Sequence, residues 1–278
     1  MIIDFHTHTF PDALAERAVE RLKKNSHAAN YLSGKLADLK QSMRSAGYDY
    51  VVLLPVVTKP AQQEKVNQLA AEINGTAEET GVISFGGIHP ENDNYKEIIN
   101  RLVSYHIKGI KLHPVFQNTY LDDIKYIRLV DYACEQGLLV LIHAGYDIGF
   151  PGVDYATIEH VVPLLDAVAN RQIILAHMGG WGCYDDVEEK ILGREVWLDT
   201  AFSIRSKDVP PEHAGSFMPV DRFVSFVRTH GADKILFGTD SPWEGQRQAL
   251  QLISDSGLSD TELQAVLGAN AAKLLGLS

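Results

Sequence analysis

Eight short runs rich in β-branched and other apolar residues recur along the chain: IIDFHTH, YDYVVLLPVV, GVISFGGIHP, HIKGIKLHP, GLLVLIHAG, RQIILAHMGG, REVWLDTAF and DKILFGTDSP. Several are continuously apolar rather than alternating, the pattern of strands covered on both faces. Helical periodicity fills the intervals. In KLADLKQSMRSAG the residues Leu36, Leu39, Met43 and Ala46 share one helical stripe, and Gly47 supplies a stop. In DDIKYIRLVDYACEQG the stripe is Ile127, Val130 and Cys134, with Gly137 as terminator. Ser259 to Glu262 reads SDTE, a capping box that opens the last helical region.

A strand and a helix in eightfold alternation make the rhythm of βα units on a parallel sheet. The expected fold is α/β, a single (β/α)8 TIM barrel spanning residues 1–278 as one domain, since such barrels commonly reach about 250 residues. The rival is an open doubly wound sheet. It would usually carry a Gly-rich turn after its first strand, and none stands there.

Charge and cysteine content narrow the function. A formal net charge of −11 argues against a nucleic-acid partner, because phosphate backbones need clustered Lys and Arg. Two cysteines, Cys134 and Cys183, form no disulfide framework. The first residues lack a signal peptide's basic start, and no apolar run is long enough to span a bilayer. The reading is a cytoplasmic protein without a membrane partner.

The polar residues sit where a barrel would use them. The first predicted strand ends in His6-Thr7-His8, the fourth in Lys111-Leu112-His113, the fifth in His143, the sixth in His177 and the eighth in Asp240. In a closed parallel barrel these C-terminal ends converge on one mouth. Neutral imidazole and carboxylate suit a borderline divalent ion such as zinc, and ligands from separate rigid strands hold that geometry well. Strict strand alternation puts Asp4, His6 and His8 on one face. Asp4 then reads either as an acceptor for an imidazole N–H or as a buried carboxylate paired with a basic barrel residue.

The ordered set of HxH, two single histidines and a late aspartate, with GIKLHP, LAHMGG, ILFGTDSPW and GANAAKLLGL, resembles the amidohydrolase superfamily and its amidohydrolase-2 branch. The resemblance implies a metal-dependent hydrolase in which His6, His8, His143 and Asp240 hold one zinc ion, with manganese as the alternative. Asp240 and His177 would be catalytic, Asp240 as general base and His177 on the substrate oxygen or water. Lys111 would either be carboxylated and bridge two metals, or remain an inward cation for Asp4 or a substrate carboxylate. One ion is the expectation. His113 shares the parity of Lys111 and either reaches the mouth or shapes the turn before Pro114.

The loops suggest a compact substrate, partly aromatic or planar, with an anionic handle. Arg205, Trp181, Tyr146 and Trp243 are the candidate contacts. The leading reaction is hydrolysis of a small amide, ester or lactone. The alternative is decarboxylation of a small carboxylated substrate, aromatic or muconate-like, and a third reading is a barrel that binds metal without turnover. The partner is a small molecule, and a homodimer is the expected assembly if the chain self-associates.

Overall fold

Each predicted apolar run yields a strand. The computed structural model describes residues 1–168, 172–205 and 211–277, the side chains of 211–213 excepted. The strands are β1 (Ile3–Thr7), β2 (Tyr50–Leu53), β3 (Val82–Ser84), β4 (Gly86–Gly87), β5 (Gly109–Leu112), β6 (Leu139–Ile142), β7 (Ile173–Leu175), β8 (Trp197–Asp199) and β9 (Ile235–Leu236). All recorded pairings are parallel and follow chain order, with helices between the strands. The architecture is an α/β barrel of the TIM type.

The segments β3 and β4 come from a single apolar run, interrupted at Phe85. Two asparagines on the helix Gln63–Asn74 cover the break. Asn74 receives the Ser84 N–H and donates to the Ser84 carbonyl, and Asn67 does the same for Gly87. Their amides take the place of a neighbouring strand.

The regular ladder does not run round the whole ring: β1 to β3 form one group and β4 to β9 another. Phe85 N donates to Leu53 O at the first seam. At the second, Phe5 N donates to Phe237 O at 2.7 Å, Asp240 N to His6 O at 2.8 Å and His8 N to Ser241 O at 2.7 Å. Individual backbone bonds therefore join the last strand to the first.

Two apolar layers follow from strand alternation. Ile3, Phe5, Val52, Leu54, Phe85, Leu141, Ile174 and Leu236 form an inner cluster, joined by Ala271 and Leu275 of the helix Asn270–Leu275. Val51, Leu53, Ile110, Leu112, Val140 and Ile142 belong to the outer cluster with helical residues such as Leu39, Met43, Leu129 and Phe223. Lys111 lies between Ile110 and Leu112 and so faces the interior, almost fully buried.

One expectation fails here. Asp4, His6 and His8 do not share a face, because the register of β1 shifts between Asp4 and Thr7. Ile3 and Phe5 point into the barrel, which turns Asp4 outward, yet the shift also brings His6 inward. Such an irregularity re-aims a side chain at the cost of regular pairing. Gly238 leaves room for it, since a Cβ there would lie 2.7 Å from His6 Cβ.

The helix stops behave as read. Leu36–Ala46 ends at Gly47 in the left-handed region, and the box at Ser259 and Glu262 closes in both directions. No helix among the described residues is long and apolar enough to cross a membrane.

Phe5 is fully buried and packs edge-on to Phe85 at 5.7 Å between ring centroids. Phe5→Ala should lower the unfolding free energy by about 3–5 kcal/mol. Urea denaturation measures this, and a loss below about 1 kcal/mol would remove Phe5 from the interior.

Candidate metal centre

Seven side chains meet at the C-terminal ends of the strands. β1 supplies His6 and, just past its end, His8; β5 supplies Lys111 and β8 supplies Asp199. His143, His177 and Asp240 follow the ends of β6, β7 and β9. His6 Nε2 lies 3.2 Å from His8 Nε2 and 3.4 Å from Asp240 Oδ1, and His8 Nε2 lies 3.1 Å from the same oxygen. On the far side, His177 Nε2 lies 3.0 Å from His143 Nδ1. The His177 ring stands between the halves, its centroid 5.2 Å from that of His6 and 4.7 Å from that of His143.

The outer nitrogens determine where the protons are. His8 Nδ1 contacts Leu54 O at 2.8 Å, His177 Nδ1 contacts Ala201 O at 2.8 Å, and His143 Nε2 contacts Tyr146 O at 3.1 Å. A carbonyl oxygen only accepts, so each of these nitrogens carries hydrogen. His6 Nδ1 donates to Asp199 Oδ2 at 2.8 Å, a carboxylate that also accepts the His177 and Ala201 N–H groups. In neutral imidazole the other nitrogen is then an acceptor. His6 Nε2, His8 Nε2, His143 Nδ1, His177 Nε2 and Asp240 Oδ1 are therefore all acceptors facing one another.

Buried acceptors at 3.0–3.4 Å cannot satisfy each other, and an unsatisfied buried polar group costs about 1–3 kcal/mol. The donor reaching them among the described contacts is Lys111 Nζ, 3.3 Å from His6 Nε2. A divalent cation meets the need directly. Ligands set tetrahedrally at a zinc–nitrogen distance of about 2.0–2.1 Å would be about 3.3–3.4 Å apart, close to the separations among His6, His8 and Asp240. The residues fit a metal, and Asp199 and the carbonyls orient the rings as outer partners of ligating histidines do.

A second group, His113, His143 and Asp147, also brings ligand atoms within 4.8 Å of one another. It fails the proton test. His143 Nε2 is committed to Tyr146 O, and His113 Nδ1 is buried without a partner among the described residues. His113 Nε2 lies 3.4 Å from Asp147 Oδ2, where an N–H donating to the carboxylate accounts for the contact.

The structure brings His6, His8 and Asp240 into one group and sets His143 beside His177 and His113. Asp4 holds no imidazole and no basic residue. It accepts from His6 N, Thr239 N, Thr239 Oγ1 and Gln246 Nε2 instead. The imidazole acceptor is Asp199, which shows the same cue as the histidines: a polar residue ending an apolar run, in VWLDT. Asp147, in an irregular loop, offers no such cue.

The loop candidates divide. Arg205 is exposed, and its described hydrogen bond is a backbone one, to Met218 O. Trp181 is buried edge-on to Phe217, its backbone paired with Gly145. Gly145 must be glycine, since a Cβ there would lie 2.2 Å from Trp181 N. Tyr146 is 41% exposed and serves the site through its carbonyl. Trp243 is half-buried, with its N–H on Asp240 O.

Burial sets the electrostatics. It holds His6, His143 and His177 below the usual histidine range, which keeps the rings neutral. It pushes Lys111 down to about 8, with Asp199, Asp240 and Asp147 pulling the other way, so the amine remains mostly charged at neutral pH. Burial alone would raise Asp240, but the neighbouring His8, His6 and His177 rings outweigh it and hold the carboxyl below its ordinary value, each countering the carboxylate whenever it carries a second proton. Asp147 is raised by burial to about 6.

A family model described as Amidohydrolase matches residues 3–277. No curated protein matches the chain by sequence. Among solved structures the chain is similar to 5-carboxyvanillate decarboxylase from Sphingomonas paucimobilis, with TM-score 0.71, 16% identity and coverage of 100% of this chain and 99% of that one. It is similar to a dihydroxybenzoic acid decarboxylase from Polaromonas, bound to manganese and 2-nitroresorcinol, with TM-score 0.69, 14% identity and coverage of 99% and 96%. A third is a protein from Pseudomonas putida proposed to be a 2-pyrone-4,6-dicarboxylic acid hydrolase, with TM-score 0.66, 17% identity and coverage of 99% and 97%.

Two outcomes test this geometry. Asp199→Ala should reduce divalent-metal affinity by about 10–100-fold, because His6 loses the acceptor that fixes its proton. Competition against a chelator reads this, and an unchanged affinity would contradict the proton assignment. In the metal-free protein the buried rings of His6, His143 and His177 should stay unprotonated as pH falls to about 6.5, the unfolded histidine value, since burial opposes their charging. Histidine ring NMR shifts read this, and protonation of these rings above that pH would contradict the neutral assignment.

Proposed function

The chain belongs to the amidohydrolase family, and on that premise we propose that this enzyme is a metal-dependent decarboxylase of a small carboxylated substrate. The observation that carries the reading is the buried ammonium of Lys111 beside a cluster of metal-competent acceptors. A cation added to a divalent site favours an anionic substrate. Decarboxylation is the reaction supported by the fold's likeness to the carboxyvanillate and dihydroxybenzoate decarboxylases.

We assign one divalent ion to His6, His8 and Asp240; His143, whose unprotonated Nδ1 stands beside His177 Nε2 outside that group, completes the set only by moving toward it. The nitrogen and oxygen donors favour zinc, and manganese is the alternative because the Polaromonas enzyme holds it. Bound there, the ion supplies Lewis acidity toward a substrate oxygen. We read a single ion, with Lys111 as an uncarboxylated amine 3.3 Å from His6 Nε2.

The chain's own residues then have distinct tasks. Lys111 holds an anionic oxygen of the substrate. Asp240, ionised at neutral pH, takes a proton from a substrate hydroxyl or from water and delivers it to the carbon that loses its carboxylate. The carbon–carbon bond breaks as CO2 leaves, its electron pair remains on that carbon, and the proton fills the vacancy. His177 presents an unprotonated Nε2 for a second proton transfer.

Hydrolysis of a lactone is the second reading. Likeness to the protein proposed as a 2-pyrone-4,6-dicarboxylic acid hydrolase favours it, as does an ionised Asp240 able to deprotonate water. The substrate contacts assigned to Tyr146, Trp181, Trp243 and Arg205 remain proposals under either reaction.

Hydroxylated aromatic carboxylates and a carboxylated pyrone separate the two. The expected result is release of CO2 with a product lighter by that mass; a ring-opened product heavier by one water would establish hydrolysis instead. Lys111→Met should raise KM for the carboxylated substrate at least tenfold, and an unchanged KM would remove Lys111 from substrate binding.

A further inference from the structure

Asp4 stands outside the mouth, between the barrel wall and the helix Gln246–Ser254, and is fully buried. Its carboxylate receives four donors from three parts of the chain. Oδ1 accepts His6 N at 3.3 Å and Thr239 N at 3.0 Å; Oδ2 accepts Thr239 Oγ1 at 2.7 Å and Gln246 Nε2 at 2.9 Å. One donor belongs to a candidate metal ligand, His6. Two belong to the residue preceding another, Asp240.

These bonds fall where the ring lacks a regular ladder. The register of β1 shifts between Asp4 and Thr7, and Asp240 takes a left-handed backbone with φ 58°. Both distortions aim ligands at the mouth, and both draw backbone N–H groups away from ordinary strand pairing. A buried N–H needs an acceptor, and the Asp4 carboxylate supplies one to His6 and one to Thr239. Nearby, Gln246 Oε1 is buried without a partner among the described residues.

We propose that Asp4 is a positioning residue that clasps the first strand to the last, setting the spacing of His6, His8 and Asp240 and through it the affinity for the ion. The inference rests on the one-ion reading above. What Asp4 contributes is a fixed pair of acceptor oxygens rather than proton transfer. A neutral amide keeps the part of that work done by Oδ1, which accepts both backbone N–H groups. In Asp4→Asn, Oδ1 keeps both N–H donors, while Nδ2 donates to Thr239 Oγ1 or to Gln246 Oε1 after that amide turns over.

The test uses the full chain stripped of metal and titrated with zinc against a chromophoric chelator, followed by cobalt loading for the d–d absorption spectrum. Wild type that takes up no ion would end the metal reading itself. With wild type binding one ion, Asp4→Ala should bind at least tenfold more weakly with a shifted cobalt spectrum, and Asp4→Asn should stay within threefold with an unshifted one. A folded Asp4→Ala with wild-type affinity and spectrum overturns the proposal. So does an Asp4→Asn as weak as the alanine variant, since acceptance of the two backbone N–H groups by Oδ1 would then not set the ligand spacing. If Asp4→Ala does not fold, Thr239→Val decides: at constant volume it removes one donor to Asp4, together with the acceptor of Ser241 N–H, and should weaken zinc severalfold and shift the cobalt bands. Unchanged values for Thr239→Val overturn the proposal.

Discussion

Hydrogen bonds from the outer nitrogens of four histidines hold the mouth of this barrel in a form that suits a cation. The acceptors come from the neighbouring loop for His8 (Leu54 O) and His177 (Ala201 O), from its own loop for His143 (Tyr146 O), and from two strands away for His6 (Asp199). A ring fixed in this way cannot exchange its proton position without stranding a buried carbonyl or carboxylate. Its inner nitrogen is therefore an acceptor by construction. Repeated four times around one centre, and joined by Asp240, the arrangement concentrates lone pairs in a largely buried rim. Lys111 offers partial relief through His6.

The barrel wall yields to this requirement at its seam. Elsewhere parallel ladders and two apolar layers fix the strands by register and packing. Between the last strand and the first, regular pairing gives way to single backbone bonds, a shifted register and the buried Asp4 carboxylate. Gly238 belongs to the same compromise, its missing side chain making room for His6. Strain and irregular pairing at a functional rim are expected where side-chain aim outweighs ladder regularity. The metal geometry and the seam are one structural problem seen from two sides.

Much of the site was legible because the barrel repeats a single rule. A polar residue that ends an apolar run, just before a Gly or Pro turn, has nowhere to go but the mouth. That rule finds His6, His8, Lys111, His143, His177 and Asp240, and applied evenly it finds Asp199 as well. It does not reach the loops. Arg205 has charge without a contact in the cluster, Trp181 is packed against Phe217, and Tyr146 matters through a carbonyl that no side-chain reading can weigh. Nor does that rule reach Gln117, a buried clasp. It joins the loops after β2, β4 and β5 through Val57 O, Ile88 O and His113 N.

The amino-acid sequence by itself determined the α/β alternation, the order of the strands and the set of groups able to bind a metal, since these depend on periodicity and residue chemistry along the chain. Tertiary structure alone decided that Asp4 and His6 part company, that Asp199 is the partner of His6, and that His143 sits beside His177. Those outcomes turn on register at a seam between the two ends of the chain and on which carbonyl lies opposite which ring. Both are relations between distant residues, and local pattern does not encode them.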